Sequence, residues 1–157
     1  MKYFEINRSQ FINQPISIVF SFFSKPENLE RITPEYLKFK ILDISPIFMK
    51  EGQIINYKMK VRGIPIKWSS LIKSYCPPYN FIDEQIKGPY AFWHHTHEFI
   101  EEEKGTRIID HVKYRIPLGY IGEMINYIWV AKDLEKIFNF RQDKIIEIFR
   151  NKENDIL

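Results

Sequence analysis

The chain has 157 residues, 45% of them hydrophobic and 16% aromatic, enough for one domain with a full core and too few for two ordinary ones. Twenty-three basic against twenty acidic residues leave a formal charge of +3, with the signs mixed and no concentrated basic stripe, so no nucleic-acid partner is expected. The single cysteine, Cys76, excludes an internal disulfide and a cysteine-based zinc cluster, and no apolar run approaches the roughly 18 residues that span a bilayer.

The N-terminus alternates like a strand and carries no apolar leader, so the expectation is a cytoplasmic protein without stable membrane insertion. Over residues 2–11, Tyr3, Glu5 and Asn7 share one face and Phe4, Ile6 and Arg8 the other, which predicts a first strand. Pro15 suits a first helical turn, and Ile16, Val19, Phe20 and Phe23 follow at helical spacing. A second short helix is predicted at once. Ser24 stands three residues before Glu27 as in a capping box, Pro26 fits the first turn, Leu29 and Ile32 form the apolar side, and Thr33-Pro34 ends it.

From about residue 37 the period becomes two. Phe39 and Ile41 predict a strand that fades by Ser45-Pro46, and Glu51-Gly52 a turn. Ile55, Tyr57, Met59 and Val61 alternate with Asn56, Lys58, Lys60 and Arg62 as a half-buried strand. After Arg62-Gly63, Ile64, Ile66, Trp68, Ser70 and Ile72 share a face as far as Cys76-Pro77-Pro78. Phe81, Asp83 and Gln85 then oppose Ile82, Glu84 and Ile86 up to the turn at Gly88-Pro89. Two more strands are predicted, at about 91–102 and 106–117, joined by Glu103-Lys104-Gly105. Short connections imply an antiparallel meander with strands long enough to curl.

After Pro117 the period returns to about 3.6 through Ile121, Met124, Ile125, Ile128, Leu134, Ile137, Phe138, Arg141, Ile145, Ile148 and Phe149. This predicts one amphipathic helix of roughly 25 to 30 residues, able to cover a sheet. Residues 1–150 are expected to form a single domain and 151–157 a polar C-terminal tail. There is no internal repeat, low-complexity segment or linker.

Specific residues carry a family resemblance: Asn28-Leu29 with Ile32-Thr33-Pro34, Gly52, Tyr57, Trp68, Asp83-Glu84-Gln85, Gly88-Pro89-Tyr90, the run from Trp93 to His97 with Phe99, Asp110, Tyr114, Pro117, Phe138 and Arg141. They span nearly the whole chain. With the element order, they make it resemble the START-like, or SRPBCC, superfamily of helix-grip domains, which includes lipid-transfer domains, pollen-allergen-type proteins and polyketide cyclases. Within that superfamily it is similar to small bacterial ligand-binding or cyclase/dehydrase-like proteins. The resemblance implies an α+β helix-grip fold: a curved antiparallel sheet of about six to seven strands wrapped on a long C-terminal helix, with two short helices after the first strand. It also implies a cavity between sheet and helix.

One consistent alternation then turns Tyr57, Trp68, Asp83, Gln85, Trp93, His95, His97, Asp110 and Tyr114 inward and His94 outward, unless a β-bulge reverses part of it. Four chemistries fit the polar part of this set. The His95-X-His97 spacing with Asp110 suits a metal, although its third ligand depends on an assumed register. The same groups can hydrogen-bond one another across strands as a buried lock. A His–Asp pair can move a proton in a cyclisation or dehydration. Finally, a few polar groups in an apolar cavity can orient a ligand. No nucleophile motif, phosphate loop or cofactor fingerprint accompanies them, and no metal or other cofactor is assigned.

Arg141 falls on the buried stripe of the terminal helix, where it is expected either to pair with Asp83, Glu84 or Asp110 or to anchor a ligand carboxylate. The functional expectation is binding of a small hydrophobic or amphipathic molecule, such as a lipid, isoprenoid or polyketide-like compound. Its contacts would be Tyr57, Trp68, Asp83, Gln85, Trp93, His95, His97, Asp110, Tyr114 and Arg141. The alternatives are a cyclase or dehydratase using the His–Asp pair in the same cavity, and a module that binds another protein.

Overall fold

The computed structural model describes residues 2–154. Strand β1 (Phe4–Ile12) leads to helix α1 (Ile16–Phe23), which starts after Pro15 and buries Ile16, Val19, Phe20 and Phe22. The second predicted helix is only a 3-10 turn, Pro26–Glu30, followed by another at Glu35–Leu37. A segment this short before Thr33-Pro34 cannot recover the cost of nucleating an α-helix. The expected capping box is not made. Ser24 closes α1, its hydroxyl donating to Ser21 O at 3.2 Å, while Glu27 Oε1 accepts from the Ile47 N–H at 2.8 Å and so holds the loop before the next hairpin.

The remaining strands are β2 (Lys40–Ile41), β3 (Ile54–Val61), β4 (Ile64–Cys76), β5 (Asn80–Lys87), β6 (Phe92–Glu102) and β7 (Gly105–Arg115). They form one antiparallel sheet in the order β1-β7-β6-β5-β4-β3-β2, so the chain's first strand closes the far edge of the meander. The β4–β5 register shifts between Ser69 and Ser70 and again between Ile72 and Ser74. Such bulges bend a strand, and beyond the second one Tyr75 packs on Phe20 of α1 at 5.7 Å between ring centroids.

The terminal helix spans α2 (Gly119–Ile125), a wider π turn (Asn126–Val130) and α3 (Ala131–Asn154). Its start is tight: a Cβ on Gly122 would lie 1.9 Å from Pro117 O, so only glycine fits there. At the π turn the buried Asn126 side chain accepts from the Tyr114 hydroxyl at 3.0 Å, fixing the helix to β7. A single π turn shifts the helical phase, so α2 and α3 do not present one unbroken stripe. The polar tail expected from 151 is helical as far as Asn154, and 155–157 lie outside the described residues.

Two large apolar clusters and a smaller one of Ile47, Ile55 and Ile72 make up the core among the described residues. One large cluster joins Phe20, Phe22, Phe81, Phe99, Ile145 and Phe149; the other joins Trp68, Trp93, Val112, Tyr114, Leu134 and Phe138. Among the described residues no helix is long and apolar enough to cross a membrane.

Candidate functional site

A cavity of about 410 Å³ lies between the concave sheet, the 3-10 turns and the terminal helix. Seven of the ten residues expected to bind a ligand border it: Tyr57, Trp68, Asp83, Trp93, His95, His97 and Arg141. Their strands alternate, so the bordering residues recur at every second position. The aromatic wall is ordered by ring packing, with Tyr57 stacked on Trp68 at 5.9 Å and Trp93 edge-on to Trp68 at 5.3 Å. Buried Ser70 links them: its Oγ accepts from Trp68 Nε1 at 3.0 Å and lies 3.2 Å from the Tyr57 hydroxyl. Burial raises the Tyr57 phenol far above its ordinary pKa, so it stays a neutral wall with a polar tip.

The other three expected residues serve the fold. Gln85 turns to the β5–β6 loop, where Nε2 donates to Tyr90 O at 2.8 Å and Oε1 accepts from Tyr90 N at 3.1 Å. Tyr114 is taken up by Asn126, and Asp110 stands behind the histidines. Residues from the irregular 26–49 region, including Leu29, Leu37, Phe39 and Met49, also border the cavity, as do Leu118, Ile125 and Val130. They carry no distinctive motif, and only the tertiary fold brings them there.

The polar end of the cavity is a rectangle of two imidazoles and two carboxylates. Register places Asp83 opposite His95 and Asp110 opposite His97, and all four side chains share the inner face. The rings lie tilted against each other, 3.7 Å apart between centroids. His97 Nε2 meets Asp83 Oδ2 at 3.0 Å and His95 Nε2 meets Asp110 Oδ1 at 3.0 Å. The remaining sides are His97 Nδ1 to Asp110 Oδ1 at 2.8 Å, close but off the N–H line and therefore no proper hydrogen bond, and His95 Nδ1 to Asp83 Oδ2 at 3.6 Å.

The protons can be counted. Burial pulls the His97 imidazolium down, but its contacts with Asp110 and Asp83 outweigh burial and raise its pKa to about 9. Burial and then the charge on His97 push His95 below its ordinary value, so it is neutral. Burial also works against Asp83 and Asp110, yet the imidazoles hold both carboxyls below the usual range, Asp110 far below. One imidazolium and one neutral ring supply three N–H groups for four nitrogen–oxygen contacts, and the 3.6 Å His95–Asp83 side is the longest of the four.

Arg141 approaches this rectangle from α3. Burial lowers its guanidinium from the ordinary value against the raising effect of Asp110, Asp83 and Tyr57. It makes no ion pair among the described residues, and its buried Nε has no hydrogen-bond partner. The expected pairing with Asp83, Glu84 or Asp110 is therefore not made. Two of those carboxylates are engaged by histidines, and Glu84 points out to His94 and Lys73. The Arg141 Cζ lies 5.3 Å from the Phe138 ring centroid. Asp83, His95 and His97 offer three metal-ligand atoms within 4.8 Å of one another. The two Nε2 atoms bond to different carboxylates, His97 to Asp83 and His95 to Asp110, so both are engaged within the cluster itself.

At the opposite end, exposed Pro89 and Leu118 border the cavity and mark its mouth. There Arg62, in the β3–β4 turn, grips Asp133 at 2.8 and 3.0 Å and lies over Trp129 at 5.4 Å.

No family model matches the chain, and no curated protein matches it. Solved structures do. The Zhui aromatase/cyclase from Streptomyces sp. R1128 superposes with a TM-score of 0.73 at 12% identity, over 96% of each chain. Protein Ms6760 from Mycobacterium smegmatis gives 0.69 at 13% identity, over 94% of this chain and 92% of that one. The major latex-like protein 151 from Panax ginseng gives 0.67 at 10% identity, over 94% of this chain and 97% of that one. The chain therefore shares with these proteins a helix-grip α+β fold.

Proposed function

We propose that this helix-grip domain binds a small amphipathic molecule, such as a lipid, isoprenoid or polyketide-like compound, with its apolar part on the Tyr57, Trp68 and Trp93 wall. The observation that carries the reading is the cavity itself: about 410 Å³, largely apolar and aromatic, with a few polar groups gathered at one end. Pockets of this size and lining are the usual form of small-molecule sites. The fold it shares with an aromatase/cyclase agrees with such a use. The protein purified from its own host and sprayed under native conditions is expected to carry a co-purified mass that denaturation releases. An empty protein that also fails to bind a displaceable hydrophobic dye would end this reading.

Cyclase-type acid–base chemistry is the second reading. The Asp110–His95 pair at 3.0 Å favours it, because a carboxylate orients a neutral imidazole as a proton acceptor. Against it, both His95 nitrogens are turned toward carboxylates, Asp110 at 3.0 Å and Asp83 at 3.6 Å, so a substrate would have to compete with them for the ring. Turnover of a bound polyketide-like substrate that His95→Gln abolishes without loss of binding would reverse this preference.

A further inference from the structure

Arg141 borders the cavity with its Nε donor unmet. Its buried Nε has no partner, it makes no ion pair, and the two nearest acids are already bonded to His95 and His97. A guanidinium nitrogen closed off from water in this way is costly unless something else accepts its hydrogen bond. From this geometry we propose that the occupant of the cavity is an amphipathic carboxylate whose head group accepts a two-pronged hydrogen bond from Arg141. The inference rests on the cavity-binding reading and specifies its ligand class. Arginine's planar fork matches a carboxylate's two oxygens, and the neighbouring aromatic wall supplies the apolar half of the site.

The charges around the head group favour a monoanion. Asp83 and Asp110 are balanced by the His97 imidazolium and Arg141, so an arriving carboxylate adds one negative charge. His95 can absorb it, because burial and the charge on His97 hold it neutral and its Nδ1 faces Asp83 Oδ2 at 3.6 Å. The groups around His95 are Asp83 from β5, His97 beside it on β6, Asp110 from β7 and Phe138 from α3, with Arg141 of α3 acting on the same two carboxylates. Four of these are charged, and one proton on His95 restores neutrality. A dianion such as a phosphate monoester would leave a surplus that no other group in the cluster can take up.

Two matched pairs of probes test the inference: dodecanoate against 1-dodecanol, and 2-naphthoate against 2-naphthol, each titrated calorimetrically into the wild-type protein at pH 7. The acid of any pair that binds is expected to be favoured at least about tenfold, a difference of about 1.4 kcal/mol. Its binding should take up a proton, seen as a dependence of the heat on buffer ionisation. Arg141→Gln is expected to erase the preference while leaving the alcohol within about threefold, and Arg141→Lys to keep part of it. The wild-type comparison needs no variant, so poor folding of either substitution does not block the test. Equal affinity for acid and alcohol overturns the carboxylate inference and leaves the cavity reading standing. Binding of neither pair removes both.

Discussion

The two ends of the cavity are each held by ion pairs of similar length, but in different surroundings. At the inner end the side chains of His95, His97, Asp110 and Asp83 are 5, 8, 13 and 17% exposed, and their closest contacts are 2.8 to 3.0 Å. At the mouth Arg62 and Asp133 approach to 2.8 Å with side-chain exposures of 51 and 26%. Water screens the second pair and competes for both partners, while the first has no alternative to its own network. Distance alone would rank the two as equals. Burial makes the inner end a rigid wall and the mouth a latch that can be released.

Removing one member of the rectangle should produce the largest effect. Asp110→Ala strips His95 and His97 of a shared acceptor and leaves a buried imidazolium facing a single carboxylate, at an expected cost of about 3–5 kcal/mol. Thermal denaturation should show a fall of roughly 10 °C or more. A change of only a degree or two would mean that the rectangle is as dispensable as a surface pair.

The pH dependence follows from the same network. His97 has a folded pKa of about 9, above its unfolded value of 6.5, so its contribution is fully present below about pH 6.5 and lost as pH rises through 9. Asp83, Asp110 and His95 have depressed values, so their contributions are present above their unfolded values and lost as pH falls below them. Stability should therefore peak near neutrality and fall between pH 7 and 10 by on the order of 3 kcal/mol. His97→Gln should flatten that alkaline limb in chemical denaturation, and an unchanged limb would place the titrating group elsewhere.

Smaller effects belong to the rim. Gln85→Ala deprives Tyr90 of both backbone contacts and should cost about 1–2 kcal/mol, with faster amide exchange in the 88–90 loop. Asp133→Asn should change stability by less than about 1 kcal/mol. It should nevertheless speed release of a bound hydrophobic dye in stopped-flow mixing, because the Arg62 contact ties the β3–β4 turn to the helix across the mouth. A slower or unchanged release rate would show that this pair does not restrain the opening.

Much of the scaffold was legible because alternation is local. The period-two runs around Tyr57, Trp68, Phe81 and Trp93 identified the inner face, and His95 and His97 followed from their places in one of them. The same rule put Gln85 on the cavity wall, which it does not border, since a residue near a turn can bond to the turn, and here Tyr90 takes it. The helix stripe put Arg141 inside but not beside a partner. Whether a buried cation is paired depends on which acids from other strands are already engaged, and periodicity carries no information about that.

The amino-acid order by itself determined the succession of elements, the inner face of each strand and the amphipathic cover, because these depend on contacts between near neighbours along the chain. The tertiary structure alone decided that Asp83 meets His95 and His97 meets Asp110, that a π turn resets the helix at Asn126, and that Arg141 reaches the cavity with its Nε unpaired. Those features are set by strand register, helix phase and competition among buried charges, which come into being only when distant segments pack together.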